Sequence, residues 1–208
     1  MNKLYRLIIL LPLLILGCAP KVIEENKAIL KTIDDLNMNI FSNKGDKIYS
    51  ITSPNSTYDK IKLEFNLKKT TIKIYDGEKI KYIINSDSSI LSNNNSKLEL
   101  IGNVELRTFN QTNDYLKGDK LIWNINGSNY ELFGNVQFEN TNVKLSSTKS
   151  ILGKDNIIKF FNPVKYTIKD DYNDNKYEIN SENAYYDLNT DSLSFESKEK
   201  RVRSIISF

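Results

Sequence analysis

From Leu98 to Arg107 the chain reads Leu-Glu-Leu-Ile-Gly-Asn-Val-Glu-Leu-Arg, with apolar residues or glycine at even positions and mostly polar residues at odd ones. The same alternation runs through Tyr130 to Glu139 and again through Ile158 to Ile168. A period of two puts every second side chain on one face of an extended strand, so one face meets a core and the other meets water. Turn signals punctuate these runs at Asp76-Gly77, Asn93 to Asn95, Asn126-Gly127, Gly153 and Asp170 to Asp174. From residue 45 to 197 the chain is therefore expected to be all-β.

The strands repeat. Leu-Ile-Gly-Asn-Val (100–104) returns as Leu-Phe-Gly-Asn-Val (132–136) and, altered, as Phe-Phe-Asn-Pro-Val (160–164). Each is followed by a second element, at Leu116 to Asn124, Leu145 to Gly153 and Ile179 to Asp187. A strand pair that cannot bury its own apolar face must stack on the next, which predicts an elongated, open-ended architecture. Gly102 and Gly134 in mid-strand mark bends where a strand passes from one sheet to another, and Pro163 fits a bulge because it donates nothing to the ladder.

The N-terminus is of a different kind. Lys3 and Arg6 precede an apolar run from Leu7 to Leu16, then Gly17-Cys18. Ten helical residues span about 15 Å, half of a bilayer core of about 30 Å, so residues 1–17 read as a signal peptide and not as a membrane span. Ile15-Leu16-Gly17-Cys18 resembles a bacterial lipobox, with Leu16 bulkier than usual, and Cys18 is the only cysteine in the chain. An ordinary secretory signal with an incidental cysteine is the competing reading. Residues 18–44 then form a tether. Within it Ile29, Ile33, Leu36 and Ile40 are spaced four, three and four apart, which suits a short amphipathic helix or, equally, a solvated spacer.

Charge and composition exclude more than they select. Removing residues 1–17 takes away Lys3 and Arg6 and no acid, leaving 27 bases against 26 acids, which argues against a nucleic-acid partner. The chain has no histidine, which removes most acid–base triads and most zinc sites. Asp170, Asp171 and Asp174 sit in a turn-forming segment and read as a solvated loop in preference to a calcium site. No pair of carboxylates stands out for glycoside hydrolysis. The expectation is a protein that is not an enzyme and holds no metal or cofactor.

Together the run Leu98 to Arg107, the following Leu116-Lys-Gly-Asp-Lys-Leu-Ile-Trp123, and the upstream segments Lys47 to Ser53, Tyr58-Asp59, Thr71 to Tyr75 and Ile80 to Ser86 resemble the LptC/LptA (OstA-like) family. These are β-jellyroll proteins that carry lipopolysaccharide across the periplasm. The resemblance covers residues 45–197 and is closest to an LptC-like lipoprotein. Two departures stand out: LptC of the best-known type has a transmembrane N-terminal helix where this chain has a lipobox, and the repeats here continue to the C-terminal end.

The resemblance implies a folded-over antiparallel β-jellyroll (45–197), followed by a basic tail (198–208). It implies a periplasmic scaffold, lipid-anchored at the inner membrane, that takes lipopolysaccharide or a related glycolipid from the permease subunits of an ABC exporter toward an LptA-like periplasmic bridge. Lys47 to Ser53 would meet the permease, and Ser192 to Ser197 the bridge. The interior positions proposed to line an acyl trough are Leu100, Val104, Leu106, Leu132, Val136, Phe138, Phe160, Val164 and Tyr166, with Trp123 beside them. The same alternation also builds a dry core. A structural or adhesive β-repeat surface lipoprotein and an LptA-like bridge are the alternatives.

If Cys18 is the acylated first residue of the mature chain, two or more acyl chains will hold it firmly at a membrane. Cys18→Ala is then expected to leave an uncleaved or released form. Intact mass of the mature wild type checks this, and an unmodified Cys18 would refute it.

Overall fold

The structure, a computed structural model, describes residues 30–92, 96–109, 114–127, 129–141, 143–169, 176–198 and 202–207. Cys18, the signal segment, and the turn signals at 93–95 and 170–174 lie outside the described residues. Twelve strands follow in chain order: β1 (Leu30–Phe41), β2 (Lys47–Asp59), β3 (Glu64–Asp76), β4 (Lys79–Ser92), β5 (Lys97–Thr108), β6 (Tyr115–Asn124), β7 (Asn129–Glu139), β8 (Lys144–Leu152), β9 (Ile157–Lys169), β10 (Lys176–Asp187), β11 (Ser192–Glu196) and β12 (Arg203–Ser207). Each of β1 to β10 pairs antiparallel with the next in sequence, and β12 pairs with β10. The all-β expectation is met.

The single sheet is folded over on itself. The Tyr82 hydroxyl of β4 donates to Asn156, in the β8–β9 turn, at 3.1 Å. In a flat sheet β4 and β8 would lie four strand spacings apart, roughly 19 Å. The rings of Tyr49 (β2) and Trp123 (β6) meet at 5.0 Å, and those of Phe138 (β7) and Tyr186 (β10) at 4.6 Å. Contacts between strands three or four places apart mean that each strand crosses from one layer to the other and the two layers close face to face, a jellyroll.

The crossing happens at a corner in mid-strand, and two local devices make it. In β5 and β7 two consecutive residues take left-handed backbone: Gly102 at φ 79° with Asn103 at 44°, and Gly134 at 71° with Asn135 at 46°. Glycine adopts this region freely and asparagine tolerates it. The facing strand supplies an aspartate to each: Asn103 donates to Asp87, and Asn135 to Asp119, both at 2.8 Å. A Cβ on Gly102 would stand 2.7 Å from the Asp87 carboxylate oxygen, and one on Gly134 would overlap Asp119. The third corner, at Asn162-Pro163, uses a different contact: Thr148 donates from its hydroxyl to the Asn162 carbonyl at 3.0 Å. Register shifts in the flanking ladders mark all three as bulges, as anticipated for the glycines and Pro163.

Four of the intervening strands use a serine. Ser53, Ser86, Ser147 and Ser181 each donate from the hydroxyl to the carbonyl two residues on, at 2.8 to 3.1 Å. The side chain replaces a ladder bond that the bend removes, so no buried carbonyl is left bare. Inward-facing positions jump by three at these corners, from Ser86 to Ser89 in β4 and Ser147 to Ser150 in β8, and β6 makes the same step from Gly118 to Leu121 without a serine; parity changes in all three.

The same device corrects the reading of the tether. Leu30–Phe41 is a strand, not a helix or a free spacer, and it pairs with β2 along its length. Asp35 has φ 52°, so the inward face steps from Ile33 to Leu36 and then runs Met38, Ile40 at period two. A strand with one corner imitates a helical spacing of three and four. At the far end, β11 and β12 together form one split strand along β10, because Ser197 and Lys198 bond to Glu182 at the corner. Residues 203–207 of the basic tail are thus part of the sheet.

Gly102→Ala is expected to destabilise the fold by about 1–3 kcal/mol, since it adds left-handed strain and a clash. Asp87→Ala should cost about 1 kcal/mol, one hydrogen bond. Denaturant unfolding measures both, and wild-type midpoints would refute the account of the corner.

Candidate functional site

The ten residues proposed from sequence all face the interior. Leu100, Leu132, Val136 and Phe160 are fully buried, and Tyr166, the most open, is 9% exposed. They belong to one continuous apolar cluster that begins at Tyr49 and Ile51 and ends at Ala184 and Tyr186. Each large apolar side chain so buried contributes about 1.5–3 kcal/mol. At both ends the apolar lining carries on with partly buried residues: Leu36, Met38, Ile40 and Phe65 at one, Ile179, Leu193 and Phe195 at the other.

Sequence reasoning found the C-terminal half of this interior and missed the N-terminal half. Ile51, Leu67, Ile72, Ile84 and Leu91 are just as buried. Their alternation is broken by corners: Leu67 and Thr70 face inward either side of Lys69, which sits at φ 49°.

Inside, an aromatic relay runs along the seam where the turns of the two layers meet. Tyr82 packs edge-on to Tyr130 at 5.8 Å, Tyr130 lies 5.4 Å from Trp123, and Trp123 meets Tyr49. The Trp123 indole nitrogen is buried with no hydrogen-bond partner, and so is the Ser150 hydroxyl. Burial pushes the Tyr82 phenol up to about 12, with Asp76 adding to the effect, and burial likewise raises Tyr130 and Tyr49. Burial also raises Tyr186, helped by its hydrogen bond to Asp191. These buried phenols are therefore neutral at neutral pH.

The seam is clasped by side chains. Besides Tyr82 and Asn156, Asn140 donates to the Tyr186 hydroxyl at 2.6 Å, and Tyr186 donates to Asp191 at 3.0 Å. Asn156 is held in turn by Asn189 at 2.9 Å and by the Leu188 amide, which donates to its carbonyl at 3.0 Å. Beside this clasp lies a cavity of about 260 Å³ lined by Lys79, Lys81, Phe109 and Asp76, among others.

The outer face carries charge in pairs. Lys120 bridges to Glu99, Lys117 to Glu105 at 3.1 Å, and Lys149 to Glu131 at 3.0 Å. Burial pulls the Glu105 carboxyl upward, but hydrogen bonds from Arg107 and Lys117 outweigh it and hold the group below the ordinary range. Lys149 also lies over the rings of Phe133 and Phe161, at 4.9 and 5.9 Å. Among the described residues no group of three His, Cys, Asp or Glu side chains could hold a metal ion, and no helix is long and apolar enough to cross a membrane.

No curated protein matches the chain significantly. Residues 14–149, well over half of it, match the model of a family described as lipopolysaccharide-assembly, LptC-related. The folded-over sheet, the apolar interior and this match agree, and the chain belongs to the LptC family of lipopolysaccharide-assembly proteins.

Proposed function

We propose that this protein is the periplasmic lipid-carrying scaffold of a glycolipid exporter, anchored by acylated Cys18 at the inner membrane. It takes lipopolysaccharide or a related glycolipid from the permease subunits of an ABC transporter and passes it toward an LptA-like bridge. The observation that carries this reading is the apolar interior, continuous from Tyr49 to Tyr186 and extended at both ends by half-buried apolar side chains. Acyl chains are stabilised there at about 25 cal/mol per Å² of surface removed from water, while a polar head group stays outside. No covalent chemistry is involved, and energy for transport comes from the ATPase of the exporter.

The ends of the sheet fit assembly with neighbours. Among the described residues β1 has a partner on one side only, and its other edge would accept a strand from another β-domain. This moves the expected permease contact from Lys47 to Ser53, which β1 covers, to β1 itself. At the other end the outer edge is the split strand β11–β12, and the bridge would add to it there. Stacked in this way, successive jellyrolls would make one unbroken apolar channel.

Photo-crosslinking groups placed at Val104, Val136 or Phe138, all inward, are expected to capture envelope glycolipid. The same groups at Glu105 or Gln137, on the outer side, should capture little. Equal labelling of the two sets would mean a dry core and a purely structural repeat.

A further inference from the structure

We propose that the Tyr82–Asn156 clasp, with Lys79 and Lys81 beside it, is a gated lateral port through which a phosphorylated, multi-acylated glycolipid enters the interior. The inference rests on the lipid-carrying role and says where along the seam the lipid crosses and which chemical groups it needs.

Three separate observations meet at this place. Tyr82 is 5% exposed, and its hydroxyl spans the two layers to Asn156, a contact made by side chains alone and not by a strand ladder. A link of that kind opens without parting the backbone hydrogen bonds of the strand ladders. Asn156 itself stands in left-handed backbone at φ 60° and is held by Asn189, so its amide is already oriented toward the seam.

Next, the cavity outside the clasp has the composition that an amphipathic lipid requires at its head-group junction. Lys79 and Lys81 supply two cations against Asp76, and the Lys81 ammonium lies 5.2 Å from the centre of the Tyr82 ring. Phe109, 63% exposed, places an aromatic face at the same mouth. Lysine ammonium groups pair with phosphate as point charges, and an exposed aromatic ring shields the first methylenes of an acyl chain from water.

Finally, the relay behind the clasp ends on an unmet donor. Tyr82, Tyr130 and Trp123 follow one another along the inner side of the seam, and the Trp123 indole N–H is buried without a partner. A saturated hydrocarbon could not satisfy that donor. An acyl ester or amide carbonyl could, and multi-acylated glycolipids carry several of these where the chains join the sugar. The phosphate would stay at the lysines and the carbonyls would move in toward Trp123.

Trp123 is the single tryptophan of the chain, so its emission reports lipid arrival in the full-length protein. The probes are bisphosphorylated lipid A and the same lipid with both phosphates removed, each mixed rapidly with detergent-solubilised protein. Tyr82→Phe and Asn156→Ala, which unfasten the clasp, should speed the fluorescence change several-fold for both lipids. Lys79→Glu with Lys81→Glu, on the outer rim, should slow loading of the phosphorylated lipid about tenfold and leave the other unchanged. Unaltered rates in the clasp variants would overturn the port, and so would an equal slowing of both lipids by the lysine changes. If a photo-crosslinker at Val136 still captured lipid in those cases, the carrying role would survive without this port. No capture and no fluorescence change in any form would sink both.

Discussion

Everything in this fold depends on turning a strand through a corner without leaving its backbone polar groups bare. A single long sheet exposes one apolar face along its length, and twelve strands cannot hide it unless the sheet folds onto itself. The corner is therefore where folding is decided. The chain meets the requirement in two ways, with a left-handed Gly-Asn pair held by an aspartate across the ladder, and with a serine that bonds the carbonyl two residues ahead. Because the corners alternate along the sheet, the two layers meet face to face, and each of β1 to β10 contributes to both.

That geometry also accounts for what the interior can do. Residues near the corners are small and hydroxylated, such as Thr70 and Ser89, whose side chains bond to each other at 2.8 Å. Large rings gather on the seam side: Tyr49, Tyr82, Trp123, Tyr130, Phe138 and Tyr186. The corner edge is tied by covalent strands and cannot part. The seam edge is joined by a few side-chain hydrogen bonds and ring contacts, and it is the natural side to widen. Under the proposed lipid-carrying role, a closed interior and a lipid-filled one would be two states of the same fold, differing in whether the seam is fastened.

How far the sequence revealed this follows from the corners. In β5, β7 and β9 the corner uses two extra residues, parity is preserved, and the alternation reads unbroken from Leu98 to Leu106 and from Tyr130 to Phe138. Those strands, their bulges and the ten interior residues on them and on β6 were legible. In β1, β3 and β4 the inward face steps by three, which erases the period-two signal. Ile33, Leu36 and Ile40 then look helical, and Ile72 and Ile84 pass unnoticed. A search for Ser-x-x-Ser between alternating runs, as in Ser53 to Ser56, Ser86 to Ser89 and Ser147 to Ser150, would have located the corners of β2, β4 and β8, while those of β1 and β3 carry no such motif. The clasp was beyond reach, since Tyr82 and Asn156 are 74 residues apart and meet only because the sheet folds over.

The central claim is that this folded sheet takes lipid between its layers by opening along the seam. Spin labels at Glu78 and Lys154, in turns of the opposite layers next to the clasp, report the separation of the layers by pulsed electron–electron distance measurement. The account predicts a distribution several ångström longer when lipid A is bound than in the lipid-free protein. An unchanged distribution, with lipid shown to be bound to the same sample, would contradict it.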